Sequence, residues 1–354
     1  MEMAREVLLK HLRLYPEMQI EDCIKLLYQS FMGIEHLIED RAAFEEYLRQ
    51  ERALPEVLSG SFREPEDIGQ GRYRMYLSSI KEFSDSTAAA LCLMGANLQQ
   101  QNPEGLNAAL ETLEQMAEEG LFAFSAADAV QKIEKYKEAG CPPLSHSGLF
   151  RQTYRPHYRL IGKEAAIFLP VFVAIEKEMR QKEYVVLAID GMSAAGKSSL
   201  SALLQKVYGC GALHADDFFL QQHQRTAQRL AETGGNIDYE RFSKAVHLAG
   251  KGRAFAYQPF NCQTMQLDPA LEVPKARLTI IEGVYSLHPK VGAKPDISVF
   301  LKVDSALQQQ RVLKRSGAAL ARRFAQEWIP MENRYFQKMN IEEKCNISIC
   351  TDRL

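Results

Sequence analysis

The amino-acid sequence predicts an α/β fold: a parallel sheet of about five strands covered by helices on both faces, preceded by a mainly α-helical N-terminal region. Three observations carry this. From residue 184 onward, short β-branched apolar runs alternate with stretches of helical length, and the runs are apolar at successive positions, as strands buried on both faces are. The first run, Val185 to Ile189, ends in Asp190 and a glycine turn, Gly191-x-x-x-x-Gly196-Lys197-Ser198, that opens a helix. Up to about residue 140, by contrast, apolar residues recur every three or four positions and strand patterns are scarce.

Taken in chain order, Ile20, Ile24, Leu27, Phe31 and Ile34 mark one face of a helix, and Phe44 and Leu48 suggest the next. Asn102-Pro103 reads as an N-cap and first helical position, with Leu106, Leu110, Leu113 and Ala117 on the apolar face and Gly120 as the stop. Ser125 and Asp128 make a capping-box-like start for a helix that ends at Gly140 and Pro142-Pro143. Residues 141–163 read as an irregular link and 164–182 as a connecting helix kinked at Pro170. Strands are expected at 184–190, 211–215, 277–284, 297–303 and 345–350, and helices at 197–208, 239–250, 304–315 and 318–339. The boundaries drawn are a helical domain over 1–163, the connecting helix, and an α/β domain over 183–354, in line with the two domains that 354 residues suggest.

Composition narrows the function classes. A net charge of −2 gives no general attraction to nucleic acid or anionic membrane. The first residues are too charged for a secretory signal, and the longest apolar run, 165–175, is broken by Pro170, so neither membrane nor nucleic-acid partners are expected. Seven cysteines without a C-x-x-C pair argue for a reducing, cytoplasmic setting, with Cys345 and Cys350 as core thiols of the last strand. A homo-oligomer is compatible with all of this.

The glycine turn has a specific chemistry. Gly191 and Gly196 permit backbone angles that a Cβ would forbid, so the loop 191–198 can turn its N–H groups inward around phosphate oxygens. That assigns Gly191, Ser193, Ala194, Ala195, Gly196, Lys197, Ser198 and Ser199 to the phosphates of ATP or another nucleoside triphosphate. Lys197 would reach the β- and γ-phosphates and the Ser198 hydroxyl would join a Mg²⁺ shell. A strand before the loop and a helix after it separate this reading from a chance glycine-rich turn.

Three further segments bear on chemistry. Asp216 and Asp217 follow the second strand, where carboxylates can serve a metal and a general base or simply cap a turn. Glu282 closes the third strand, a position suited to Mg²⁺ or its waters. Arg311, Arg315, Arg322 and Arg323 flank a Ser316-Gly317 break, either as arginines that close over phosphate or as a solvated helix face.

Together the segments AIDGMSAAGKSSL, HADDFFL, GGNIDYERF, AYQPFNC, TIIEGVYSL, DISVFLKVD and RVLKR resemble the uridine kinase and nicotinamide riboside kinase family of P-loop nucleoside kinases, over nearly all of 184–350. The resemblance implies an ATP- and Mg²⁺-dependent phosphotransferase acting on a hydroxyl of a small nucleoside-like acceptor. It implies Asp216 as general base on that hydroxyl, Asp238 of the Asp238-Tyr239 segment on ribose hydroxyls, Phe218, Tyr239 and Tyr257 lining the acceptor site, and Ser198, Asp216 and Glu282 around Mg²⁺. Arg315 and Arg322 resemble lid arginines over ATP, with Arg315 beside Lys197 and Asp216 as the catalytic set. Where uridine kinases carry a histidine-containing base-reading stretch, this chain has Gln258-Pro259-Phe260-Asn261-Cys262-Gln263. A non-nucleoside alcohol, as in pantothenate kinase-like and phosphoribulokinase-like proteins, is the alternative acceptor, and a non-catalytic ATP switch is the alternative class.

The N-terminal half resembles a region found in some bacterial uridine kinase-like proteins. Arg151, Tyr154, Arg155, His157, Tyr158 and Arg159 alternate cations with aromatics. They either stack a base and hold phosphate, or pack internally with the arginines on carbonyls and carboxylates. His36, His146 and His157 have no metal-ligand spacing.

Overall fold

The computed structural model describes residues 2–33, 41–58, 60–97 and 101–354. The chain divides into two units, Met1–Ala166 and Ile167–Leu354, each considered by itself.

The first unit is mainly helical: α1 (Glu2–Leu14), α2 (Ile20–Met32), α3 (Arg41–Arg52), α4 (Pro55–Leu58), α5 (Asp85–Asn97), α6 (Pro103–Glu118), α7 (Ala126–Glu138), α8 (Gly148–Tyr154) and, at its end, α9 (Lys163–Ile167). The start signals work as read. Asn102 accepts a hydrogen bond from the Gly105 N–H at 2.8 Å, and Ser125 accepts one from the Asp128 N–H at 3.1 Å. Leu106, Leu110, Leu113 and Ala117 of α6 share one core with Ile24, Leu27 and Phe31 of α2; Ile34 and His36 lie outside the described residues.

The scarcity of strand expected here is corrected by a three-stranded antiparallel sheet, β1 (Glu66–Asp67), β2 (Arg72–Tyr76) and β3 (Tyr158–Gly162). Its central strand hid from the pattern because its polar residues point inward. All five residues of Arg72-Tyr73-Arg74-Met75-Tyr76 are buried. Arg74 donates to the Gln29 side-chain amide oxygen at 2.8 and 3.0 Å and stacks over Tyr158, so its charge is solvated by protein instead of water. Residues 141–163 are therefore not an irregular link; they hold α8 and β3. Tyr154 packs on Tyr15 and Phe150, Tyr158 on Tyr76 and His146, and Arg159 and His157 both meet Glu51. Both His146 ring nitrogens are engaged, by Asp22 at 2.7 Å and by the Tyr158 hydroxyl at 2.6 Å.

In the second unit the kink expected at Pro170 is a helix boundary. Pro170 occupies the first turn of α10 (Leu169–Gln181), where a missing N–H leaves no helical bond unmade. Then follow β4 (Val185–Gly191), α11 (Lys197–Tyr208), β5 (Gly211–His214), α12 (Ala227–Ala231), α13 (Tyr239–Ala249), β6 (Phe255–Tyr257), β7 (Phe260–Asn261), β8 (Gln266–Leu267), β9 (Leu271–Val273), β10 (Leu278–Glu282), β11 (Ile297–Lys302), α14 (Ser305–Arg323), α15 (Ile329–Met339), α16 (Ile341–Lys344) and β12 (Ile347–Cys350). The pairs β6–β9 and β7–β8, absent from the sequence expectation, are ladders of two or three residues, too short for any periodicity to register.

Five strands form a parallel sheet in the order β12-β11-β4-β10-β5. The two middle neighbours of β4 follow it in sequence on opposite sides, which opens a crevice at its C-terminal end. All seven residues of β4 are buried, as a central strand covered on both faces requires. The register sets Glu282 of β10 beside Ile189 and His214, and Leu301 of β11 beside Gly191. The ends of β4, β5 and β10 thus meet at one edge. Cys350 is exposed and Cys345 half-buried before the last strand, so Cys350 is not the core thiol expected.

Candidate active site

The loop after β4 is shaped by its glycines. Gly191 has φ +133° and Gly196 φ +93°. At Gly191 a Cβ would come within 2.1 Å of the Leu301 carbonyl oxygen, so the loop turns against the backbone of β11. Gly196 is the residue before α11, whose first residue is Lys197, and the helix N-terminus faces back into the loop with unpaired N–H groups.

Within the loop, the Lys197 ammonium donates to the Gly191 and Met192 carbonyls at 2.8 and 2.9 Å. Asp190, fully buried, accepts from the Gly191 N–H (2.8 Å), the Leu287 N–H (3.1 Å) and the Tyr335 hydroxyl (2.8 Å). Burial pushes its pKa up to about 6 against the pull of those bonds and of Lys197. Ser193 donates its N–H and its hydroxyl to the Glu332 carboxylate, and its carbonyl accepts from Gln308 at 2.9 Å. Ala194 has φ +60°, Ala195 is buried, and Ser199 is exposed on the first turn of α11.

Beside the loop, the Ser198 hydroxyl donates to Glu282 at 3.2 Å, and His214 meets the other Glu282 oxygen at 2.8 Å. That bond raises the His214 pKa. Asp216 lies just beyond β5 and its carboxylate has no hydrogen-bond or ion-pair partner among the described residues. The residue itself is exposed. Desolvation first, then the Glu282 charge, raises its pKa, against the pull of the Lys197 and His214 charges. The donor set of Ser198, Asp216 and Glu282 is all oxygen, with one unengaged carboxylate, and suits Mg²⁺, which takes one or two carboxylates and leaves other positions to phosphate and water.

The remaining residues implied for the acceptor are engaged with protein groups. Phe218 is fully buried between Phe242 and Tyr257, with ring centroids at 4.5 and 5.2 Å. Tyr257 donates to Asp217 at 2.6 Å, so Asp217 orients a core aromatic. Tyr239 donates to the Thr233 carbonyl and stacks on His288. Asp238 caps α13, accepting from the Arg241 N–H at 3.0 Å, and takes a second bond from Gln224 at 2.9 Å. Phe218, Tyr239 and Tyr257 belong to one buried core cluster, and the polar atoms of Tyr239, Tyr257 and Asp238 bond to protein. Arg311 donates to Ala194 and Thr351, whereas Arg315 and Arg322 are exposed on the helical arm broken at Gly317 (φ +74°).

Sequence reasoning passed over Asp190, His214, Gln308, Glu332 and Tyr335. Asp190 had a signal, a lone carboxylate closing a fully apolar run. His214 sits directly before the carboxylate pair. Gln308, Glu332 and Tyr335 arrive from helices more than a hundred residues away in sequence and have no local signal.

No family model matches the chain. Among solved structures it is similar to a possible uridine kinase from Bacillus stearothermophilus (16% identity over 51% of this chain and 99% of that one, TM-score 0.37). It is also similar to a candidate fructose transport system kinase from Silicibacter sp. TM1040 (20%, 52% and 97%, TM-score 0.41) and to a shikimate kinase from Bacteroides thetaiotaomicron (14%, 48% and 87%, TM-score 0.30).

Proposed function

We propose that the second unit is an ATP- and Mg²⁺-dependent phosphotransferase that moves the γ-phosphate onto a hydroxyl of a small acceptor, nucleoside-like in its nearest sequence resemblance. The observation that carries this reading is Asp216: an unengaged carboxylate with a raised pKa, at the strand end next to the loop and the Ser198–Glu282 pair. A carboxylate so placed accepts the proton that an attacking hydroxyl loses. A loop that only binds nucleotide needs no such group.

Loop N–H groups and Lys197 would hold the triphosphate, and Ser198 would hold Mg²⁺ with Glu282 or Asp216 nearby, directly or through water. Bound there, the ion neutralises charge on the phosphates. Arg315 and Arg322 lie on the exposed arm and would cover the transferring group.

A second acceptor class has its own support. Asp238, offered for the ribose hydroxyls, bonds to Arg241 and Gln224, and Tyr257, offered as an aromatic lining the acceptor site, bonds to Asp217, which favours an acceptor gripped by other groups, such as a non-nucleoside alcohol. A panel assay of ADP release with MgATP and ribonucleosides, nicotinamide riboside, pantothenate and sugar alcohols separates the two. Acceptor-dependent ADP release from one class identifies it, and ATP turnover indifferent to every acceptor rejects the phosphotransferase reading.

A further inference from the structure

We propose that Glu332 competes with the incoming triphosphate for the phosphate-binding loop, acting as a built-in anion that sets nucleotide affinity and makes it depend on the position of α15. This rests on the reading of residues 191–198 as a nucleotide site. The Glu332 carboxylate accepts both the N–H (3.0 Å) and the hydroxyl of Ser193. Donors of this kind are what the loop offers to phosphate oxygens. Glu332 is nearly inaccessible to solvent (6% exposed), so its charge is poorly screened from whatever enters the loop. Desolvation raises its pKa, Lys197 and Ser193 oppose the rise, and the Asp216 charge adds to it. A carboxylate in that setting and a triphosphate repel each other and share a donor.

Two further contacts tie this residue to the lid. One turn along α15 from Glu332, Tyr335 bonds Asp190 at the foot of the same loop. From the other side of the broken arm, Gln308 of α14 holds the Ser193 carbonyl. Every polar group of Ser193 is therefore taken by α15 and by α14, the broken helix that itself carries Arg315 and Arg322. When a triphosphate takes the Ser193 N–H, Glu332 has to leave it, and α15 and the arm shift with Glu332. Affinity and lid position are thereby linked.

The test is calorimetric binding of MgATP and MgADP to the full chain and to two variants. Glu332→Gln keeps the shape and removes the charge. Glu332→Asp keeps the charge but is one methylene too short to hold both Ser193 donors. Competition predicts that Glu332→Gln binds MgATP about tenfold tighter, with a smaller gain for MgADP because less phosphate charge is relieved. Glu332→Asp gains about threefold. A passive brace would show the reverse, both variants binding more weakly and ATP and ADP shifting alike. Unchanged or weaker MgATP binding by Glu332→Gln overturns the proposal, and if that variant does not fold, the sign of the Glu332→Asp change decides it. Failure of the unaltered chain to bind MgATP is a different result, because it removes the nucleotide site itself.

Discussion

Replacing Gly191 by alanine asks how tightly the loop is built against the sheet. A Cβ there would stand 2.1 Å from the Leu301 carbonyl oxygen, 2.6 Å from its nitrogen and 2.9 Å from its carbonyl carbon, at φ +133°. All three are backbone atoms of β11, and that carbonyl also accepts the Met192 N–H at 2.9 Å. Relief needs a movement of about 1 Å in a strand that cannot swing aside, since close-packed interiors transmit such strain. Overpacking of this kind costs about 1–3 kcal/mol and the forbidden backbone angle a similar amount, together about 4 kcal/mol. Gly209 is the internal control. It also has positive φ, +60°, but nothing lies within 4 Å of a Cβ, so Gly209→Ala carries only the left-handed strain of about 1 kcal/mol. At about 2–4 °C per kcal/mol, thermal unfolding should place Gly191→Ala roughly 10 °C below the parent and Gly209→Ala roughly 3 °C below it. Calorimetry should show MgATP binding lost only in the first. Equal losses of a few degrees in both variants, with nucleotide binding intact, would refute the reasoning about the loop.

Lys197→Ala removes the cation offered to the β- and γ-phosphates, so the MgATP dissociation constant should rise at least about a hundredfold, read by calorimetry. Asp190 yields a pH prediction. Its pKa is 3.8 in ordinary surroundings and about 6 when folded, so between those values the folded state holds the extra proton and stability falls as pH rises. The loss is on the order of 3 kcal/mol, complete by about pH 7. Urea unfolding of Asp190→Asn between pH 4 and 7 should lack that slope; the same slope in the variant would assign it to other groups. Arg322 is exposed and has no ion-pair partner among the described residues. Arg322→Ala should therefore leave the unfolding midpoint within about 1 °C while lowering kcat at least about tenfold. A stable variant with full kcat would remove Arg322 from the transfer step.

The parts legible in sequence are those whose signal is local. The run from Val185 to Ile189, the spacing from Gly191 to Ser198, and the caps at Asn102 and Ser125 each announce themselves within a few residues, because strand burial, backbone freedom and capping are short-range effects. Elements stabilised by distant partners stayed hidden. Strand β2 is buried through Gln29 and Tyr158, so its arginines read as surface. The capping of α13 by Asp238 and its bond to Gln224 likewise depend on partners that the local sequence does not announce. Glu332 and Tyr335 lie on a helix with no motif, and only the fold brings them to the loop.

The central claim, that Asp216 takes the proton as phosphate moves from ATP to an acceptor hydroxyl, is tested most directly by labelled transfer. The unaltered chain and Asp216→Asn are given γ-labelled MgATP with the best acceptor from the panel, and product and bound nucleotide are measured on the same samples. For the unaltered chain, labelled acceptor should form in step with ADP. For Asp216→Asn, transfer should fall by about 10²–10⁴, with MgATP affinity within a few fold. Transfer by Asp216→Asn at a near-normal rate would contradict the claim.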